Sequence, residues 1–322
     1  VETVKEQLEP DSSFPTAHGD LINPEFPEVM AMAVTHGEKS NADVVIVSDP
    51  DADRIGVAAK NLGTDEKMRL FSGDEIGAML THFILTQRKA NGTLPQNGLV
   101  IETYVTTTLM SDIGKSFGAK VIDDLLVGFK YIAEIIEKLD DKSDFIFAAE
   151  QSLGYLAGSF TRDKDSAIGA LLVAEMVSFL KDNNKTLGQY LNELGQEYGF
   201  YKNTLYSLDM TGRAGSERLF KIMTGLRKQA PTELAGMKVL SVVDRLPEEN
   251  RQEGKYKVGK SGDQLTFVLS EDNRSRITVR PSGTEPIIKF YIQHYNKTDE
   301  DMEQQSKALQ ESIVSYSQQF IE

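Results

Sequence analysis

Val44-Val45-Ile46-Val47-Ser48-Asp49-Pro50-Asp51-Ala52-Asp53-Arg54 joins a short run of β-branched residues to a loop with three carboxylates at alternate positions. A continuous apolar run of that length predicts a strand buried on both faces, as in sheets covered by helices. Outward from it the pattern recurs. Ile76, Met79, Leu80 and Phe83 stand at helical spacing within residues 74–86, and Leu99-Val100-Ile101 predicts another buried strand. Phe129, Ile132, Ile135, Ile136 and Leu139 line one face of a helix over 129–139, and Phe145-Ile146-Phe147-Ala148-Ala149 leads directly into Glu150. Asp165 is placed to cap a helix reaching Leu180, with Ile168, Leu172, Met176 and Phe179 facing inward. Strands alternating with helices predict an α/β arrangement as far as residue 200.

Between Asn203 and Arg251 the pattern is interrupted by Gly212, Gly215, Pro231, Gly236 and Pro247, which places a domain boundary in this stretch. Strand-like Gln264 to Leu269, Arg276 to Val279 and Ile287 to Ile292 follow. A terminal helix then bears Leu309, Ile313, Tyr316 and Phe320. Successive strands closed by a helix predict a small α+β domain.

A chain of 322 residues is too long for one core and implies two or three domains. With 40% hydrophobic and 26% charged residues it has the composition of a folded globular protein, so disordered and fibrous classes are excluded. The net charge of −14 repels phosphate backbones and anionic bilayers, which argues against nucleic-acid and membrane partners. Without cysteine there can be no disulfide, thiolate metal site or thiol nucleophile, in keeping with a cytoplasmic location. No apolar run approaches the roughly 20 residues that span a bilayer, and Glu2, Lys5, Glu6 and Glu9 are unlike a signal peptide, so a soluble protein is expected. The start at Val1, in what reads as the middle of a domain, predicts a piece of a longer polypeptide.

Three motifs carry chemistry. Asp49, Asp51 and Asp53 repel one another unless a cation sits among them, and hard oxygen ligands select Mg²⁺ or Ca²⁺. An EF-hand is excluded because Arg54 and Lys60 stand where it needs glycine and glutamate. A solvated acidic turn is the bland alternative, and Arg54 beside the loop suits a phosphate. Second, Arg280-Pro281-Ser282-Gly283-Thr284-Glu285-Pro286 offers a guanidinium, two hydroxyls and accessible backbone N–H groups, a phosphate cradle or an ordinary hairpin loop. Third, Glu150-Gln151-Ser152 follows a buried strand, where a carboxylate and a hydroxyl two residues apart could hold vicinal sugar hydroxyls. Arg162-Asp163-Lys164-Asp165 alternates charge ahead of a helix, which also suits a capped, ion-paired helix start. His18, His36, His82 and His294 are too dispersed to pair on a metal, and no Gly-x-Ser-x-Gly elbow, Walker loop or dinucleotide fingerprint occurs.

In order and separation these motifs resemble the α-D-phosphohexomutase family, the phosphoglucomutases and phosphomannomutases, over nearly the whole chain. Asp49 to Arg54 is similar to the family's magnesium loop and Arg280 to Pro286 to its phosphate-binding loop. Gly128-Phe129-Lys130 and Arg162 to Asp165 match segments lining its substrate cleft, and Phe14-Pro15 with Asn23-Pro24-Glu25 resembles the stretch before the metal loop. The resemblance implies α/β phosphohexomutase domains with mixed sheets, the end of domain II over 1–66 and domain III over 67–200, then an α+β domain IV over 201–322 with a TATA-box-binding-protein-like fold.

It further implies interconversion of hexose 1- and 6-phosphates through a phosphoserine and a bisphosphate, with Mg²⁺ and glucose 1,6-bisphosphate as cofactors and a phosphosugar as substrate. Asp49, Asp51 and Asp53 would hold Mg²⁺, Arg54 would stabilise the transferring phosphoryl charge, and Lys164 would move a proton or stabilise charge. Gly128, Lys130, Glu150, Ser152, Arg162, Arg280, Ser282, Gly283 and Thr284 would bind substrate. Gln151 replaces a common glutamate, Val127 a threonine and Ile287 a lysine. The family's Thr-Ala-Ser-His-Asn-Pro nucleophile loop does not occur in these residues, so an N-terminal domain is expected to supply it and the 322 residues alone are expected to be inactive. A phosphopentomutase and an inert phosphosugar-binding module are the alternatives.

Overall fold

The β-branched run forms a strand, β1 (Val44–Ser48), entered from helix α1 (Pro27–Ser40). β1 pairs antiparallel with β2 (Ile55–Lys60), which pairs with β3 (Met68–Phe71). The structure, a computed structural model, describes residues 1–17, 22–61, 67–210, 215–251, 256–282 and 286–321. It divides into two compact units, Val1–Tyr198 and Gly199–Glu322.

β1 departs from the expected burial. Only Val45 is buried, while Val44, Ile46 and Val47 are half-buried, because β1 is the edge of a three-stranded sheet. Met30 and Ala33 of α1 close the core over Val45 and Ala58. The pattern did not point to β2, whose Gly56, Ala58 and Ala59 are poor strand formers in isolation.

Helix α2 (Gly73–Ala90) begins with a capping box in which Ser72 and Glu75 satisfy each other's backbone N–H groups. Its Ile76, Met79, Leu80 and Phe83 are buried as the spacing predicts. There follow β4 (Leu99–Thr103), α3 (Thr108–Ser116), β5 (Lys120–Leu125), α4 (Phe129–Lys138), β6 (Phe145–Glu150) and β7 (Gly154–Leu156). The sheet order is β5-β4-β6-β7, with the first three strands parallel and β7 antiparallel to β6. Ala148 of β6 packs with Ile132 and Ile136 of α4, whereas a Cβ on Gly77 of α2 would meet Ala149. Successive strand residues point to opposite faces, so α2 and α4 cover the two sides of this mixed sheet. α3, β5 and the later helix α6 (Leu187–Tyr198) carry no strong pattern, being short, acidic at Asp123 and Asp124, or interrupted by Gly188 and Gly195.

Helix α5 (Ser166–Asp182) starts where expected, with Asp165 accepting from the Ile168 N–H. Its inner face is rotated from the predicted one. Gly169, Val173, Met176 and Leu180 are buried, Ile168 and Leu172 are half-buried, and Phe179 is 43% exposed against the Phe83 ring. The reason is that α5 bridges two sheets, with Gly169 fitting between Ile55 of β2 and Tyr155 of β7, and that seam sets its rotation.

The second unit opens with β8 (Phe200–Asp209) and α7 (Gly215–Lys228). Then come β9 (Glu233–Leu234), β10 (Met237–Lys238), β11 (Ser241–Asp244) and α8 (Glu248–Arg251). It closes with β12 (Leu265–Val268), β13 (Arg276–Pro281), β14 (Ile287–Asn296) and α9 (Met302–Gln318). The five-stranded sheet runs β11-β12-β13-β14-β8, antiparallel throughout. Leu219, Ile222 and Leu226 of α7 and Leu309 and Ile313 of α9 pack on Phe267, Ile277, Val279 and Phe290. The unit is therefore α+β, and the stretch 203–251 that reads as irregular holds most of one of its longest strands. No helix among the described residues is long and apolar enough to cross a membrane.

Candidate active site

The carboxylate loop after β1 closes on itself. Asp49, 5% exposed, accepts from the Asp53 and Arg54 N–H groups through Oδ1 and from Arg54 Nε, 2.6 Å away, through Oδ2. Ala52 has φ +58°, a left-handed conformation that turns the chain back so that Asp51 and Asp53 stand near Asp49. One carboxylate oxygen from each of the three lies within 4.8 Å of the others. Oxygens sharing one octahedral magnesium stand about 3–4 Å apart, so small side-chain movements fit this donor set to a hard divalent cation. Burial would raise the Asp49 carboxyl, but the hydrogen bonds and charge of Arg54 outweigh it and hold it below the usual range. Asp51, although exposed, is displaced upward, first by desolvation and then by its neighbours Asp49 and Asp53.

The strand-end loop after β6 faces this one within the same unit. Ile55 N–H donates to the Leu153 carbonyl, and Ser166 N–H donates to that of Ala52. Leu153 is also left-handed, at φ +65°. The Ser48 hydroxyl bonds that of Ser166, fastening the start of α5 to the end of β1. Behind the loop, Gly73 leaves room for the Gln151 carbonyl, which any Cβ there would strike. Glu150, 3% exposed, accepts from Gly128 N–H at 2.9 Å; Gly128, at φ +126°, takes a conformation suited to glycine. Burial pushes the Glu150 carboxyl up, against the opposing pull of Lys164 and the Gly128 bond.

Lys164 joins the loops. Its Nζ is 2.7 Å from Asp53 Oδ2 and 3.9 Å from Glu150 Oε2. Burial alone would lower its ammonium, but the bond to Asp53 and the charge of Glu150 raise it above the ordinary lysine value.

The fold thus assembles Asp49, Asp51, Asp53, Arg54, Gly128, Glu150 and Lys164. Ser152 is half-buried in the same loop, while Lys130 is exposed beside the Tyr131 ring. Arg162 lies outside the cluster's contacts, with Nε on Glu137 and a terminal nitrogen on the Ser159 and Thr161 carbonyls. In the second unit, Arg280 is half-buried on β13 and Ser282 N–H donates to the Ile287 carbonyl. Gly283 and Thr284, like His18, lie outside the described residues. Ser48 and Gly154 stand within or beside the motif stretches but carried no role in the sequence reading, and Gly73 and Ser166 were not singled out; the serine directly after the capping Asp165 was the available signal for the last.

The fold is thus a helix-covered mixed sheet followed by an antiparallel α+β unit, with a carboxylate loop beside a strand-end glutamate in the first unit. Residues 1–63 match the family model described as phosphoglucomutase/phosphomannomutase, alpha/beta/alpha domain II, and residues 72–198 match that of domain III. A phosphoglucomutase of Staphylococcus haemolyticus is 33% identical over 296 residues, covering 91% of this chain and 52% of the relative. One from Staphylococcus aureus is 34% identical over 292 residues, covering 90% and 51%. Among solved structures, parafusin (a phosphoglucomutase) from Paramecium superposes with a TM-score of 0.58 at 18% identity, over 87% of this chain and 45% of that one. A phosphoglucomutase/phosphomannomutase family protein from Burkholderia thailandensis gives 0.59 at 14%, over 96% and 53%. The chain belongs to the α-D-phosphohexomutase family, and it spans about half the length of the relatives it matches.

Proposed function

We propose that these residues form the metal-binding and sugar-binding parts of a phosphohexomutase that interconverts hexose 1- and 6-phosphates. The observation that carries the reading is that one lysine lies 2.7 Å from a carboxylate of the acidic loop and 3.9 Å from the buried glutamate at the strand end. Such a junction sets a phosphoryl-transfer centre beside a hydroxyl-binding group. When bound at Asp49, Asp51 and Asp53, Mg²⁺ would supply neutralisation of charge on a transferring phosphoryl group.

This chain's residues do the rest. Arg54, held on Asp49, fixes the loop and presents its guanidinium beside the metal ligands. Glu150 and Ser152 hold sugar hydroxyls, which a carboxylate and a hydroxyl recognise in either orientation of the sugar. Lys164 balances charge between the loops, and Gly128 orients Glu150. Lys130, Arg162, Arg280, Ser282, Gly283 and Thr284 are assigned to substrate phosphate and the cleft by their motifs. The phosphoserine is assigned to a segment outside these residues, with glucose 1,6-bisphosphate as intermediate and activator. Residues 1–66, 67–200 and 201–322 are read as the end of domain II, domain III and domain IV.

The test is mutase turnover of a polypeptide in which these residues follow a segment bearing the serine loop, with glucose 1-phosphate, Mg²⁺ and catalytic 1,6-bisphosphate. Turnover that falls at least roughly a hundredfold in Asp51→Asn is expected, and none from the 322 residues alone. A folded polypeptide inactive on hexose phosphates would sink the reading; a pentose phosphate panel run alongside identifies the phosphopentomutase alternative.

A further inference from the structure

Lys164 is confined on several sides. Its side chain is 15% exposed, and Nζ stands 5.9 Å from the centre of the Phe129 ring. Its stem crosses the backbone of Gly154, where a methyl group would run into Cγ, Cδ and Cε. Gly154 is not in the left-handed region, so its backbone would accept alanine; the lysine stem is what requires the glycine. Three carboxylates stand within reach of the ammonium: Asp53 at 2.7 Å, and Glu150 and Asp163 both at 3.9 Å, of which Glu150 is buried and Asp163 is 69% exposed. Asp53 is contested, with Oδ2 on Lys164, Oδ1 3.3 Å from Arg54 Nε, and membership of the acidic triad.

We infer that Lys164 is a movable counter-cation, which a divalent ion on the acidic triad drives from Asp53 toward Glu150. The inference rests on the metal reading above. A dication on Asp53 withdraws electron density from the carboxylate and repels an ammonium one hydrogen bond beyond it; of the two carboxylates 3.9 Å away, buried Glu150 attracts the ammonium more strongly than solvent-screened Asp163. Metal occupancy thereby sets the charge at the sugar loop: with the ammonium on Glu150, that carboxylate is paired and a positive charge stands where an anionic phosphosugar arrives. Coupling of this kind is reciprocal: the ammonium disfavours the ion by as much as the ion disfavours the ammonium, so removing the charge of the lysine tightens the ion.

The experiment is a Mn²⁺ titration of the 322-residue chain, read as the loss of the free-ion paramagnetic resonance signal. Lys164→Met keeps the stem on Gly154 and Phe129 but removes the charge, and is expected to bind Mn²⁺ about tenfold more tightly, within the roughly 5–150-fold span of coupled sites. Gly154→Ala keeps the charge but displaces the stem, and is expected to shift the affinity the same way, with no further gain in the double variant. Lys164→Arg restores the charge and should return wild-type affinity. Unchanged or weaker Mn²⁺ binding by folded Lys164→Met overturns the inference, as does equal tightening by Lys164→Arg. If instead the wild-type chain binds no Mn²⁺, or Asp51→Asn binds it equally well, the metal reading itself has failed.

Discussion

Glu150 shows how one residue trades stability for a site. Burial holds its carboxyl above the ordinary carboxylate value, so the ionised form is less favourable in the folded chain than in the unfolded one. Its contribution to stability is complete below the unfolded carboxylate pKa and is lost as pH rises through the folded value. Glu150→Gln is therefore expected to melt at a higher temperature than the parent at about pH 7, with the difference closing near about pH 4, while phosphosugar affinity falls. Thermal melts at the two pH values check it, and a lower melting temperature for Glu150→Gln than for the parent under neutral conditions would contradict it. Ala52 and Leu153, at φ +58° and +65°, are the complementary case: each accepts an unfavourable backbone conformation, and each offers the carbonyl that ties one loop to the next element.

At the scale of elements, α2 and α6 meet around His82. Its Nδ1 lies 2.6 Å from the Tyr190 hydroxyl, and its ring stands edge-on to Phe117, Tyr190 and Tyr198. Burial lowers the imidazole below its ordinary value despite the nearby charges of Glu197 and Glu193. The folded chain thus prefers neutral His82, and the stability it contributes is present above about pH 6.5 and lost as pH falls through the folded value. His294 of β14 is lowered in the same direction by burial. Denaturation midpoints between about pH 7.5 and 5.5 are expected to decline, and His82→Gln to reduce that slope without removing it. An unchanged slope in His82→Gln would show that the imidazole does not carry the dependence.

At the scale of the whole molecule, every residue of the loop junction belongs to the first compact unit. A polypeptide of residues 1–198 is expected to keep its helical circular dichroism and the Mn²⁺ affinity of the 322-residue chain, and one of residues 199–322 to fold without binding the ion. The reason is that α5 already bridges the two sheets on either side of the junction, through Gly169 against Ile55 and Tyr155. Folded 1–198 that fails to bind Mn²⁺ would place part of the site elsewhere.

Local chemistry in the chain determined a good deal by itself. Apolar runs at Leu99 and Phe145, helical spacing at Ile76 and Phe129, and the Asp165 cap are short-range signals that survive any packing. The crowding of Asp49, Asp51 and Asp53 is likewise written in their spacing, which suits a divalent cation and a solvated acidic turn alike. Tertiary structure alone decided what depends on neighbours distant in sequence. β1 became an edge strand with a single buried valine, and α5 turned its inner face to fit a seam between two sheets. Lys164 came to rest on Asp53, far away along the chain, because Gly154 left space for its stem and the left-handed turns at Ala52 and Leu153 brought two loops together. Burial, rotation and ion pairing are set by which surfaces meet, and that is a property of the assembled fold and of no single segment.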